Sequence, residues 1–302
     1  KDRYSFFFTQ NEKKKCNGFL GFIRNSKFSK KLKKNDVFWL SMWLGDIKLS
    51  NNKNLTGLKI IFYFLNYFKK KTIATIGCND KTRDLYERLG FKVGSLSHAY
   101  LLNPNILNFK IAKLDKKSKH NQISQNNEDR NYEIVNSIKN LKDSKFDRKY
   151  SKIFNKNIEY FVNKYEKNDF YFYEFFILKE REEINFLIIY KMILVKKKLI
   201  IRIIDFYGNY KNLPKLKNSI INFFKNINLE YIDFYYYGIP DKYLIKMGFN
   251  LKINNPNIII PNYFEPFIRE NITINYAVKN GSKRRKFFFF KGDCDQERPN
   301  IL

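Results

Sequence analysis

Thr72–Asn103 reads TIATIGCNDKTRDLYERLGFKVGSLSHAYLLN, and how this stretch folds decides how the rest of the chain folds. The β-branched run Thr72–Ile76 suits a buried strand. Gly77 ends it, and either Asn79 or Asp80 can cap a helix that follows. Leu85 and Leu89 stand one turn apart on that helix, Gly90 is its expected C′ residue, and Phe91 opens a second strand. The stretch is a β-α-β unit.

On its N-terminal side, Tyr4–Thr9 and Gly18–Ile23 read as strands joined by a polar turn. Lys27–Lys34 is a basic loop, and Asp36 leads into Val37–Leu44, whose Val, Phe, Trp and Leu content predicts a central strand. Gly45 and Asp46 interrupt it. After the polar Asn51–Thr56, Gly57 opens a helix on which Ile60, Ile61, Phe64, Leu65 and Phe68 recur with helical period. Three strands, helix, strand, helix, strand is the resulting order. Together with the string Asn79-x6-Tyr86-x3-Gly90-Phe91, this resembles the GNAT superfamily of N-acetyltransferases. The resemblance implies the second through sixth strands of that fold, with a first strand and first helices expected before Lys1.

Asn103-Pro104 closes this half, and the polar, charge-rich 105–130 reads as a linker. A second cycle follows. Tyr132–Ile138 predicts a strand, Phe154 to Tyr165 one helical face, and Phe170–Leu178, Ile184–Val195 and Leu199–Phe206 buried strands. Leu216, Ile220, Phe223, Phe224 and Ile227 mark a helix, Tyr231–Tyr237 a strand and Asp241–Met247 a short helix before Gly248-Phe249. The string YYGIPDKYLIKMGF answers TIGCNDKTRDLYERLGF in the first half. The expectation is an α/β (α+β) chain of two tandem GNAT-like domains, each a mixed, mostly antiparallel sheet flanked by helices. Their bounds are 1–104 and 131–302, the second degenerate and carrying a C-terminal tail with a last strand at Ile272–Val278. The tail KGDCDQERPN and the stretch Ile260–Pro266 resemble parts of acyltransferase-like proteins of bacterial surface-polysaccharide gene clusters.

The resemblance implies an acyl-CoA co-substrate, acetyl-CoA or another, and a chemistry in which an amine attacks the thioester directly without a metal. The corresponding pyrophosphate loop is Asn52 to Lys59, where the N–H groups of Thr56, Gly57 and Leu58 and the nearby Lys59 are the candidate cradle. Only one glycine of the family's usual loop is present, so Gly57 equally reads as a residue easing the turn into a helix. The carbonyl donor is expected near Met42, Trp43 and Leu44. Tyr86 falls where family members place the general acid for the leaving thiolate, and Asn79 where the cofactor arm passes. The bland reading of Tyr86 is a helix residue packed on the sheet. Asp36 and Asp46 are candidate bases, each also a plain turn residue, and His98 has a suitable titration range. In the second half Leu244 stands at the position of Tyr86, so acyl-CoA chemistry is expected in the first half only. Asp205, Asp233, Tyr237 and Glu265 there are candidates for an acceptor pocket.

Formal charge is +29, from Lys and Arg spread along the whole chain, and it favours anionic partners without defining one face. Hydrophobic residues make up 44 %, which excludes global disorder. Cys16, Cys78 and Cys294 lack CxxC spacing and give no zinc site. No apolar run has the length of a membrane span, and a cytoplasmic protein is the default expectation. The leading function is acyl transfer to an amine of a small molecule or (nucleotide-)sugar. The alternatives are a tRNA-dependent aminoacyl or peptidyl transferase and a non-catalytic scaffold of two decayed domains.

Overall fold

The structure is a computed structural model that describes residues 5–45, 55–114, 132–180, 183–195, 197–225, 228–262, 268–281 and 286–294. It forms two compact units. One comprises Lys1–Gly94, Ile274–Lys286 and Asp293–Gln296, the other Ser95–Thr273, Phe287–Gly292 and Glu297–Leu302. Each is built on a mixed, mostly antiparallel sheet flanked by helices, as the sequence predicts.

The first unit contains β1 (Ser5–Gln10), β2 (Cys16–Arg24), the single turn α1 (Asn25–Phe28), β3 (Val37–Gly45), α2 (Thr56–Tyr67), β4 (Thr72–Cys78), α3 (Asp80–Arg88) and β5 (Lys92–Ser95). Its sheet runs β1-β2-β3-β4, then a strand from far along the chain, Asn275–Lys279, then β5. The helical stripe of α2 buries Ile60, Ile61 and Phe64 against Leu20, Phe22, Phe38 and Leu40. Asn79, not Asp80, caps α3, its side chain accepting from the Thr82 N–H at 2.9 Å.

The second unit begins with β6 (Ser97–Leu102), so the opening stretch divides between the units at Gly94 and Ser95. The reason is local. β5 is a half-exposed edge strand, whereas five consecutive residues of β6 are buried and need cover on both faces. β6 finds it between two strands of the second sheet. That unit continues with β7 (Tyr132–Val135), α4 (Lys145–Phe154), α5 (Ile158–Phe161), β8 (Glu174–Glu180), β9 (Glu183–Val195) and β10 (Lys198–Gly208). Next come α6 (Lys217–Phe223), β11 (Leu229–Tyr237), α7 (Asp241–Met247) and β12 (Asn250–Leu251). The strand in the first sheet is β13 (Asn275–Lys279), and β14 (Phe289–Phe290) pairs with β11. The second sheet runs β12-β6-β11-β10-β9-β8-β7.

The expected single helix through Phe154 to Tyr165 is two helices. Asn155 adopts the left-handed conformation at φ 53° and ends α4, and Asn157 caps α5 by accepting from the Tyr160 N–H. Most of the predicted linker, 115–130, lies outside the described residues. Among the described residues no helix is long and apolar enough to cross a membrane.

Candidate functional site

In the first unit β3 and β4 run parallel but pair only from Val37↔Thr72 to Trp39↔Ala74. Beyond Trp39 they part. On its other side β3 stays paired to β2, with a bulge: Gly21 faces Met42, Phe22 faces Leu40, and Ser41 has no opposite residue. The Leu40 carbonyl accepts from the Thr75 hydroxyl at 2.9 Å and from the Cys294 thiol at 3.5 Å. Among the described residues no strand takes up the edge of β3 past this point, so a wedge with unpaired backbone opens between the C-terminal ends of two parallel strands.

The N-terminus of α2 closes on the end of β3. A Cβ on Gly45 would stand 2.8 Å from the Gly57 nitrogen and 3.1 Å from its Cα, so here backbone meets backbone. Leu55, at the N-cap of α2, offers no side-chain acceptor, and the first turn carries no acidic residue. Such a helix end directs N–H groups and a partial positive charge outward. The Trp43 indole donates to the Gly57 carbonyl at 2.9 Å, and its ring lies 5.6 Å from that of Tyr86. Helix end, splayed strand and α3 are thereby tied together within one unit.

Tyr86 is 2 % exposed, packed also on Phe91 with ring centroids 4.9 Å apart. Burial, reinforced by the thiols of Cys78 and Cys294, pushes its phenol far above the ordinary tyrosine range. Burial likewise drives the Cys78 thiol up to about 11. Met42 and Leu44 are exposed and Trp43 half-buried; Thr56 is buried, Gly57 and Leu58 are half-buried, and Lys59 is exposed. The Asn79 side-chain oxygen is committed to its cap. Asp36 lies at the N-terminal end of β3, five residues from Ser41, or about 16 Å along a strand. There it accepts from the Ser26 N–H at 2.9 Å and from the Ser26 hydroxyl, and burial raises its carboxyl. Asp46 and Asn52–Asn54 lie outside the described residues.

The second unit repeats the geometry with a different outcome. β10 and β11 are parallel and pair from Leu199↔Leu229 to Ile203↔Phe234. Where they part, the chain's own β14 enters, Phe290 opposite Tyr236 and Phe289 opposite Tyr237. The Gly292 N–H donates to the Ile204 carbonyl at 2.8 Å, and the Gly292 carbonyl accepts from Tyr165 and the buried Lys164 ammonium. Phe288, Phe289 and Phe290 are all buried. This wedge is filled by protein.

Beside it lie two fully buried charge pairs. Lys156 bonds both oxygens of Asp205 at 2.9 and 3.0 Å, and Tyr165 donates to the same carboxylate. Arg202 forks onto Asp233 through Nε at 2.9 Å and Nη2 at 3.0 Å. The guanidinium next to Asp233 holds that carboxyl down at about 2, against the upward push of burial, which is the largest single influence. His98 Nε2 donates to Asp233 at 3.2 Å, and His98 Nδ1 accepts from the Tyr235 hydroxyl at 2.7 Å. Burial keeps the imidazole below its usual range. Of the sequence candidates, Asp205 and Asp233 are thus structural anchors, Tyr237 pairs on β14, and Glu265 lies outside the described residues. Arg202 escaped the sequence reading. Its signal was present: an arginine inside LIIRIIDFYG cannot be buried alone, so an acid on the neighbouring strand had to meet it. Among the described residues no three His, Cys, Asp or Glu side chains gather as metal ligands.

No protein-family model and no curated protein matches the chain. Solved structures do. A GCN5-related N-acetyltransferase from Anabaena variabilis aligns over 92 % of this chain and 63 % of its own, at 12 % identity and TM-score 0.51. A conserved Enterococcus faecalis protein described as a probable N-acyltransferase aligns over 92 % of this chain and 62 % of its own, at 6 % identity and TM-score 0.53. The N-myristoyltransferase of Saccharomyces cerevisiae with bound myristoyl-CoA aligns over 91 % and 69 %, at 10 % identity and TM-score 0.46. The chain therefore spans less than two thirds of the first two. It shares the fold of the GCN5-related N-acetyltransferase and of the Enterococcus faecalis protein.

Proposed function

We propose that the protein is an N-acyltransferase whose first unit holds acyl-CoA and whose acceptor is an amine of a small molecule or sugar. The observation that carries this reading is the β3–β4 pair that parts after three residue pairs, beside a bulge and an uncapped helix end. The sequence-level motif around Tyr86 supports it, as does the fold. What supports assigning the role to the first unit over the second is that β14 fills the corresponding wedge there.

In this reading the N–H groups at Thr56, Gly57 and Leu58 receive the pyrophosphate, with Lys59 adding charge. The edge of β3 from Ser41 to Leu44, which no described strand takes up, offers backbone donors and acceptors to the pantetheine arm and to the thioester oxygen. Acyl-CoA supplies the activated thioester carbonyl. Tyr86 keeps its proton at physiological pH, and in this reading its phenol O–H hydrogen-bonds the departing thiolate, the raised pKa opposing complete transfer. Trp43 positions both ends, bonded to Gly57 and packed on Tyr86. Asp36 is anchored too far along β3 to take the proton of the amine, which leaves Asp46 as the carboxylate of the sequence reading for that task.

Titration calorimetry with acetyl-CoA tests this, with saturation expected below about 1 mM. Absence of binding at that level overturns it. If tRNA instead binds with steep salt dependence while acetyl-CoA does not, the aminoacyl-transferase reading takes its place.

A further inference from the structure

The second unit contains a cavity of about 350 Å³ that none of the candidate chemistry above uses. It lies where β6 begins, β11 ends and α7 starts, and Ser97, His98, Tyr235, Asp241, Lys252 and Thr273 line it. We infer that this cavity binds a small hydroxyl-rich molecule carrying an amine. The inference is one of binding and stands apart from the transfer proposed above.

The size comes first. Ligand pockets begin at about 300 Å³, so this one suits a compact molecule and not a coenzyme. Its wall is pre-organised. The His98 and Tyr235 rings stack 3.9 Å apart at 18°. Both nitrogens of His98 are committed, one to Tyr235 and one to Asp233, and Asp233 is gripped by Arg202. The Tyr235 hydroxyl also accepts from the Asn262 amide. The histidine is therefore neutral, fixed in tautomer and unable to exchange a proton with a guest. It serves as a rigid aromatic surface, the kind that receives the C–H face of a ring, and little ordering is required when a ligand arrives.

The charged groups decide the ligand class. Lys252 is already bonded to the carbonyls of Asn255 at 2.7 Å and Pro256 at 3.0 Å, and burial lowers its pKa, so it makes no demand for an anion. A phosphate or carboxylate would find no other cationic side chain among the lining residues. Asp241 is the one carboxylate there. One of its oxygens accepts from the Tyr236 hydroxyl at 2.7 Å, which orients the group. A carboxylate set among hydroxyls favours a ligand that offers N⁺–H and O–H donors. Amino sugars and amino polyols share that chemistry.

Binding is measured on the whole chain without acetyl-CoA, by saturation-transfer NMR and calorimetry, with glucosamine, glucose and glucose 6-phosphate as probes. Glucosamine should bind about tenfold more tightly than glucose, and glucose 6-phosphate more weakly than either. Asp241→Asn keeps an acceptor for Tyr236, so its melting temperature should stay at the wild-type value while the preference for glucosamine disappears. Should that variant unfold, Ser97→Ala serves as the second probe, with all sugar binding weakened severalfold. Equal binding of glucosamine and glucose, preference for the phosphate, or no binding of any probe overturns the inference. Acetyl-CoA titration of the same protein separates the two claims. Acetyl-CoA bound without glucosamine refutes the amino-sugar cavity alone, and glucosamine bound without acetyl-CoA refutes the transferase reading alone.

Discussion

Gly45 and Gly57 make opposite predictions for the same substitution. Sequence reasoning singles out Gly57, yet a Cβ there would come no nearer than 3.4 Å to the Trp43 indole nitrogen, 3.8 Å to Gly45 Cα and 3.9 Å to Gly45 N. Those are ordinary contacts, and alanine is the better helix former by about 0.5–1 kcal/mol in a helix interior. A Cβ on Gly45 would stand at 2.8 and 3.1 Å from the backbone of Gly57. Carbon is comfortable at about 3.5–4.0 Å, so the end of α2 would have to retreat by roughly 0.7 Å or more at the closer contact, with no rotamer to turn aside. Overpacking of this kind costs about 1–3 kcal/mol. Urea denaturation should show Gly45→Ala destabilised by about that much and Gly57→Ala within about 1 kcal/mol of wild type, neutral or more stable. Acetyl-CoA affinity should fall at least tenfold in Gly45→Ala and change less than threefold in Gly57→Ala, which keeps its N–H. If Gly57→Ala proves the more damaging in either assay, the close approach does not shape the site and the reasoning fails.

Tyr86→Phe should leave stability within about 1 kcal/mol, because among the described residues the hydroxyl makes no hydrogen bond, while transfer slows about a hundredfold or more. An unchanged rate would remove Tyr86 from proton handling. Asp233→Asn leaves Arg202 fully buried without its counter-charge and should cost about 3–5 kcal/mol in a urea melt. A cost under about 1 kcal/mol would mean that the pair is not the anchor described. Phe290→Ala empties the wedge between β10 and β11 and should cost about 3–5 kcal/mol, checked the same way, with near-neutral behaviour contradicting the packing. The pH profile follows from shifted groups, among them Cys78, whose thiol, raised by burial to about 11, brings a loss above its ordinary value of 9.0. His98, held low, keeps the fold neutral where the unfolded chain gains a proton, so stability falls as pH drops below about 6.5. Asp233, held at about 2, adds a second loss as pH falls from the ordinary aspartate value of 3.8. Tyr100, raised by burial to about 12, brings a loss above the ordinary tyrosine value of 10.0. Chemical melts across pH should therefore be flattest between these limits, and a maximum near pH 5 would contradict the His98 assignment.

Much of the fold is legible because its signals are local. The β-branched run at Thr72, the stripe on α2 and the Gly248 stop after α7 each fix an element through nearest neighbours. Partnership between distant segments is not encoded this way. Nothing near Ser97 announces that β6 will enter the second sheet, and nothing near Asn275 announces that β13 will enter the first. Both are simply apolar runs that need two neighbours. For the same reason Tyr86, Gly57 and Asn79 could be named from spacing, whereas the bulge at Ser41 depends on a register that only the β2–β3 pairing sets. The buried acids illustrate the remaining gap. Asp205 and Asp233 stand in apolar strands, so their pairing was a physical necessity, but Lys156 is 49 residues from its partner. Sequence could demand a cation without saying which one.

The two wedges argue the division of labour better than either does alone. In both units a parallel pair separates toward its C-terminal ends, leaving backbone groups that need partners. In the second unit the chain supplies them from within: β14 pairs with β11, and Gly292 bonds both Ile204 and Tyr165. A Cβ on Gly292 would meet the Tyr165 oxygen at 2.3 Å, so the filling is fitted to its place and could not be displaced without exposing three buried phenylalanines. In the first unit the partners supplied are a hydroxyl from Thr75 and a thiol from Cys294, both directed at the single carbonyl of Leu40. They fix the point of divergence, and among the described residues no strand takes up the remainder of the edge. A duplicated fold that satisfied both edges internally would be a scaffold. One whose described residues satisfy a single edge has the arrangement that the proposed acyl-CoA site requires.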